Sequence, residues 1–262
     1  MSSALPLSLD QDLTDRLNLL LHKSGHVGPD AVPRFERALL LRDFDRLSKT
    51  NVVQADCLRA TLAMLEGDDE LVRDRIRNLE LNKEYEIARS ERVRFAANRL
   101  HGTEFLRFAR EAVEKPLPHP LHMVIPSMAT LGAFRPARAA IEAANRQQRV
   151  AQATPSFQAA REGARVLDEL GVTDEAMARA VDIVGEVFWK HRLIWLGPSA
   201  ELWVSLPGKE PSLMLQYRVQ LTPADAAELS WELAEALVHE DLPPTGISFG
   251  LLGTELHAVA VA

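Results

Sequence analysis

The run Leu131-Gly132-Ala133-Phe134-Arg135-Pro136-Ala137 constrains this chain more than any other stretch, because of what flanks it. Before it, Leu121, Val124, Ile125 and Met128 recur at the spacing of one helix face. After it, Phe134, Ala137, Ile141 and Ala144 do the same, and Pro136 lies near the helix start, where a missing N–H costs nothing. A glycine between two short amphipathic helices specifies an antiparallel helical hairpin. Such a hairpin cannot bury its own apolar stripes, so it requires neighbours.

The preceding residues supply them. Helical periodicity runs over 9–24, 32–48, 52–65, 71–79, 84–101 and 103–115, with breaks at Ser24–Asp30, Gly67-Asp68-Asp69 and His101-Gly102-Thr103. Reading Gly67, Gly102 and Gly132 as turn glycines places them 35 and 30 residues apart, the period of stacked helical hairpins in an α-solenoid. The pattern Gly132-x-Phe134-x-x-Ala137-x-x-x-Ile141-x-x-Ala144 resembles the second half of a tetratricopeptide (TPR) repeat. In that family the glycine turns the chain, small residues let helices approach and bulky ones fill the seam. The match is good for residues 120–148. Around Gly67 the small positions are taken by Val72 and Leu79, and around Gly102 the first is Arg107.

Residues 150–156 have the composition of a linker, which predicts a helical-repeat domain over 1–150 and a second domain over 151–262. All four tryptophans, Trp189, Trp195, Trp203 and Trp231, lie in the second part. Two helices are expected there first, over 157–170 and from Thr173 toward Trp189. Alternation then replaces helical spacing. Leu202, Val204 and Leu206 define one strand, and Leu213, Leu215, Tyr217, Val219 and Leu221 a second. Thr222-Pro223-Ala224-Asp225 opens a further helix with Ala226, Leu229, Leu233 and Leu237 on its apolar face. Strands are expected over 246–252 and 255–261. The fold class is therefore α+β, with a small antiparallel sheet at the C-terminal end. The order of elements over 213–261, with the acidic charge, is similar in layout to the small chaperones of type III secretion systems. That resemblance implies a protein that escorts another protein.

Charge separates the two parts. Residues 1–150 hold 23 Lys+Arg against 21 Asp+Glu, and residues 151–262 hold 7 against 16, balances of +2 and −9 within the formal −7. An acidic C-terminal part excludes a phosphate backbone as its natural partner and favours a basic protein surface. Cys57 is the single cysteine, which rules out an intramolecular disulfide and points to a reducing compartment; the expectation is a cytoplasmic protein. Its neighbours Val53, Ala60 and Met64 make it a buried structural thiol rather than a nucleophile. No secretory leader is recognised before Asp12, and no apolar run has the length of a membrane span.

Motifs for chemistry are few. His119-x-x-His122 is interrupted by Pro120, and His22 and His26 by Gly25, so neither pair reads as a metal site, and no nucleotide-binding loop or dinucleotide fingerprint is present. The expectation is a non-enzymatic protein-binding protein, an adaptor, chaperone or neutralising partner, with no cofactor. Its partner would be a protein or peptide rather than nucleic acid or membrane, and the C-terminal domain offers a sheet for homodimerisation. Arg59, Arg92 and Arg99 are the candidates for gripping carboxylates in a helical-repeat groove, and Trp195 and Trp203 for apolar contact. The alternative is an enzyme with an acid–base pair, His191 and His239, assisted by Glu240.

Overall fold

A computed structural model describes residues 8–24, 27–114, 121–146, 154–193, 200–242 and 246–253, with backbone alone for 22–24 and 121–123. The described residues are mostly helical, with a small three-stranded sheet toward the C-terminal end, so the fold is α+β. Contacts divide the chain into two compact units, Met1–Phe95 with Arg192–Ile194, and Ala96–His191 with Trp195–Ala262. Of the expected linker, residues 150–153 lie outside the described residues. Thr154 and Pro155 begin a helix: the Thr154 hydroxyl accepts from the Phe157 N–H at 3.4 Å.

The first unit holds α1 (Leu9–Ser24), α2 (Arg34–Leu47), α3 (Val52–Glu66), α4 (Asp69–Leu81) and most of α5 (Tyr85–Asn98). Helix α3 is apolar on several sides, and α1, α2 and α4 pack around it. Local chemistry sets its ends. The Asn51 side chain accepts from the Gln54 N–H, and Gly67 ends it in the left-handed region at φ 72°. Asp68 then caps α4 by accepting from the Leu71 N–H. Leu13, Leu17, Leu40, Phe44, Leu65 and Leu79 form the core. Arg16 bonds Glu36 on α2 at 2.9 Å and Asp43 on α2 at 3.1 Å, compensating a nearly buried carboxylate.

The second unit contains α6 (Gly102–Glu114), α7 (Leu121–Thr130), α8 (Phe134–Arg146), α9 (Pro155–Leu170), α10 (Asp174–Lys190), β1 (Ala200–Val204), β2 (Leu213–Val219), α11 (Pro223–His239) and β3 (Ile247–Gly253). The expected hairpin is α7–α8, turned at Gly132 with φ 73°. It docks on α9, where the Gly163 backbone meets the Phe134 ring so closely that a Cβ would lie 2.5 Å from it. Arg135 clamps the same hairpin to the α9–α10 connection. It donates to Asp168 at 2.7 Å, to Asp174 at 3.0 Å and to the Val172 carbonyl at 2.8 Å.

Gly102 does not turn the chain as expected. Leu100, at φ 53°, makes that turn, and Gly102 begins α6. Glycine is needed there for a different reason: a Cβ would stand 2.2 Å from the Ala178 carbonyl oxygen on α10. Gly185, two turns further along α10, is constrained in the same way: a Cβ there would stand 2.7 and 2.8 Å from the Arg99 and Leu100 carbonyl oxygens. Helix α6 therefore packs on a helix about 75 residues later in the chain, a contact that no repeat period encodes.

The sheet has the order β1-β2-β3. Strands β1 and β2 are antiparallel, with Trp203 opposite Met214. Strands β2 and β3 are parallel, so the expected all-antiparallel sheet is a mixed one. The cause is α11: a whole helix between the two strands returns the chain to the end of the sheet at which β2 began. The expected strand over 255–261 lies outside the described residues. Leu213, Leu215, Tyr217 and Val219 turn to the core. Tyr217 is fully buried, its hydroxyl donates to the Thr130 carbonyl at 3.0 Å, and its ring meets Phe188 of α10 edge-on at 6.1 Å.

Two stability measurements test this packing. Gly102→Ala is expected to cost about 1–3 kcal/mol or more in urea unfolding, since two backbones must separate. Gly171→Ala is expected to cost about 1–2 kcal/mol, because only its φ of 67° opposes a Cβ that has open space. Burial holds the Tyr217 hydroxyl well above its usual pKa. The native state keeps this proton while the unfolded chain loses it near about 10, so the stabilisation is complete below that pH and is lost as pH rises beyond it. Tyr217→Phe should flatten the decline in melting temperature above about pH 10, at the cost of one hydrogen bond, about 1 kcal/mol at neutral pH.

Candidate functional site

The arginines singled out for a groove are committed to partners in their own units. Arg59 on α3 bonds Asp45 at 2.7 Å and lies 3.6 Å from the buried Asp56, which also has Arg75 at 3.6 Å. Arg92 on α5 pairs with Glu80 on α4. Arg99 is buried in the second unit, its guanidinium stacked 3.6 Å from the centre of the Trp189 ring. It follows the last residue of α5, so the seven-residue spacing from Arg92 does not place both on one helix. The other arginines of that stretch behave alike, Arg73 lying over Phe95 and Arg77 pairing with Asp74. These cations sit beside carboxylates or aromatic faces of their own unit.

Trp203 keeps its expected exposure. It lies on β1, an edge strand among the described residues, with 61% of its surface open to solvent, and Leu206 just beyond the strand is 71% open. Beside it on the same sheet face are Met214 and the ion pair of Glu201 with Arg218. Trp195 lies outside the described residues. Two further apolar side chains, Trp231 at 71% and Val238 at 76%, are exposed on α11, outside the apolar face expected from Ala226, Leu229, Leu233 and Leu237. The indole N–H of Trp231 donates to Glu235 at 3.1 Å, holding the ring along the helix surface.

The histidine pair has a different arrangement from the one expected. His191 caps the end of α10 and shares a 2.8 Å hydrogen bond with Glu232 of α11, which also accepts from Lys190 at 2.7 Å. The Lys190 hydrogen bond is the main reason that the Glu232 carboxyl lies below the usual carboxylate range. His239 is exposed at the end of α11, and Glu240 is bonded to Arg179 rather than joined to His191. His119 and His26, and the side chains of His22 and His122, lie outside the described residues. Among the described residues, no three His, Cys, Asp or Glu side chains gather as a metal-binding group, and no helix is long and apolar enough to cross a membrane.

Shallow clefts run along α6 beside the first half of α10. One of about 510 Å³ is lined by His101, Thr103, Glu104, Arg107 and Asp182. Its floor is tied across by Thr103, whose N–H and hydroxyl both donate to Asp182. Acid and base alternate in both clefts, Glu104, Arg107 and Asp182 in this one and Arg110, held by Asp174 and Glu175, in its neighbour, so neither has a single sign with which to draw a charged ligand. In comparisons with known proteins, no family model, curated protein or solved structure matches this chain.

Cys57 has the environment of a structural thiol. Burial first, and the Glu91 carboxylate second, push its pKa up to about 12. At pH 8 the native thiol should label with a disulfide reagent far more slowly than the same residue in denaturant, since only the thiolate reacts. Equal rates in both conditions would remove this assignment.

Proposed function

We propose that the protein is a non-enzymatic binding protein whose second unit captures a protein partner through exposed apolar side chains. The observation that carries this reading is the solvent exposure of Trp203 and Leu206 at the edge of the sheet. A large indole on an edge strand is both an anchor for a partner pocket and a neighbour of unpaired backbone groups. Edge strands accept an extended peptide by adding its backbone to the sheet. Adaptor, chaperone and neutralising protein are the activities compatible with such a surface, and self-association through the same edge is the homodimeric version of it.

Stacking of helical hairpins in the tetratricopeptide manner is part of the proposal for the helical regions. Support comes from the α7–α8 hairpin, with its Gly132 turn and its small residues Ala137, Ala140 and Ala144 buried. An arginine groove is the weaker element, because Arg59 and Arg92 already hold carboxylates and Arg99 is buried. A reducing, cytoplasmic setting is proposed from the lone, shielded Cys57.

The test is affinity capture from the native lysate with the full chain and with a Trp203→Ser, Leu206→Ser variant whose melting temperature matches the parent. Partners retained by the parent and lost by the variant support the reading. Identical capture by both, or none by either, overturns it.

A further inference from the structure

Helix α11 carries two apolar stripes, and the folded unit uses one. Ala226, Leu229, Leu233 and Leu237 are buried. Ala224, Ala227, Trp231, Ala234 and Val238 are exposed. The exposed five follow one another at intervals of three, four, three and four residues, which is the a/d alternation of a heptad seam. Ala224, Trp231 and Val238 take a positions and Ala227 and Ala234 take d. Over 15 residues the stripe is about 21 Å long at 1.5 Å per residue. Its shape suits a helix: one indole stands between alanines four residues before and three residues after it, so a bulky knob adjoins low ground where a partner backbone can approach. The Glu235 bond to the indole N–H fixes that knob without drawing it off the seam.

Charge along the seam selects the occupant. Glu228 and Glu235 both fall at e, the position whose charge chooses a coiled-coil partner. Glu232, on the same flank of α11, is matched by Lys190 and His191 of α10, and Glu240, just past the helix end, by Arg179. Glu228 and Glu235, nearer the seam, are exposed. A second α11 packed antiparallel would set e against e and place glutamates opposite glutamates, which is repulsive. A helix with lysine or arginine flanking an apolar seam meets the stripe without that conflict.

We infer that the outer face of α11 is a docking site for a basic amphipathic helix of a partner protein, seated on Ala224, Ala227, Trp231, Ala234 and Val238 and oriented by Glu228 and Glu235. This rests on the protein-binding reading above and adds a second surface to it, with a defined partner chemistry.

The test uses the full-length protein and a fluorescein-labelled peptide of about 18 residues, long enough to span the stripe. Leucine and isoleucine occupy its a and d positions and lysine and arginine flank them. A counterpart carries glutamate in place of each base. Fluorescence anisotropy should show micromolar binding of the basic peptide, weakening as salt is raised, and at least about tenfold weaker binding of the acidic one. Glu228→Lys with Glu235→Lys should reverse that preference, and Val238→Asp should abolish binding while the circular dichroism spectrum is unchanged. Equal affinity for both peptides, or indifference to the double charge reversal, would overturn the inference. So would a dimer of the parent protein that Val238→Asp converts to monomer, or an indole at Trp231 whose quenching shows it already covered by another part of its own chain. The two readings fail separately: loss of Trp203-dependent capture with peptide binding intact removes only the sheet-edge surface. The reverse result removes only this one.

Discussion

The second unit depends on one buried phenol. The hydroxyl of Tyr217 reaches the carbonyl of Thr130, the last residue of α7, whose acceptor has no donor within its own helix. A helix end buried in this way needs a partner from elsewhere, and Tyr217 supplies it from the central strand. The same ring presses edge-on against Phe188 of α10, so sheet, hairpin and long helix share one contact. Burying a hydroxyl in apolar surroundings is unfavourable unless its bond is made, which ties the register of β2 to the position of α7. A slip of β2 by one residue would turn Tyr217 outward to solvent and leave the Thr130 carbonyl without its donor.

Charge is handled differently from how a list of arginines suggests. Arg16, Arg59, Arg92 and Arg135 each bind a carboxylate from another element of their own unit, and Arg99 lies on an indole. Such pairs join separate helices of one unit. The guanidinium group suits the task, because its donors span two acceptors at once, as Arg135 does with Asp168 and Asp174. In the second unit the exposed large apolar side chains among the described residues are Trp203 and Leu206 at the sheet, Trp231 and Val238 on α11, and Trp189 beneath Arg99. The recognition proposed for the second unit therefore rests on exposed hydrophobic surface set in an acidic field rather than on a positively charged groove.

Much of the local structure was legible in the sequence. Helix limits at Asn51, Gly67, Thr173 and Thr222 follow from caps and turn residues, and the strand Leu213–Val219 follows from its alternation. Exposed Trp203 was legible as a site candidate because it alternates with Leu202 and Val204 on a strand. Trp231 and Val238 were readable in principle from their three-four spacing, but the stronger leucine stripe on the same helix masks them. The arginine partners were not legible, because Glu80 and Asp45 meet Arg92 and Arg59 only after separate helices pack.

The sequence by itself determined where helices and strands begin and end, since capping, periodicity and turn geometry act over a few residues. It also determined that the chain separates an acidic C-terminal part from a balanced N-terminal one. Only the tertiary structure decided that Gly102 serves close packing against Ala178 rather than a turn, that β2 and β3 run parallel, and that one of two apolar stripes on α11 stays outside. Each of these depends on contacts between residues far apart in the chain. Local periodicity shows which side chains need burial, and only the packed elements determine which of them receive it.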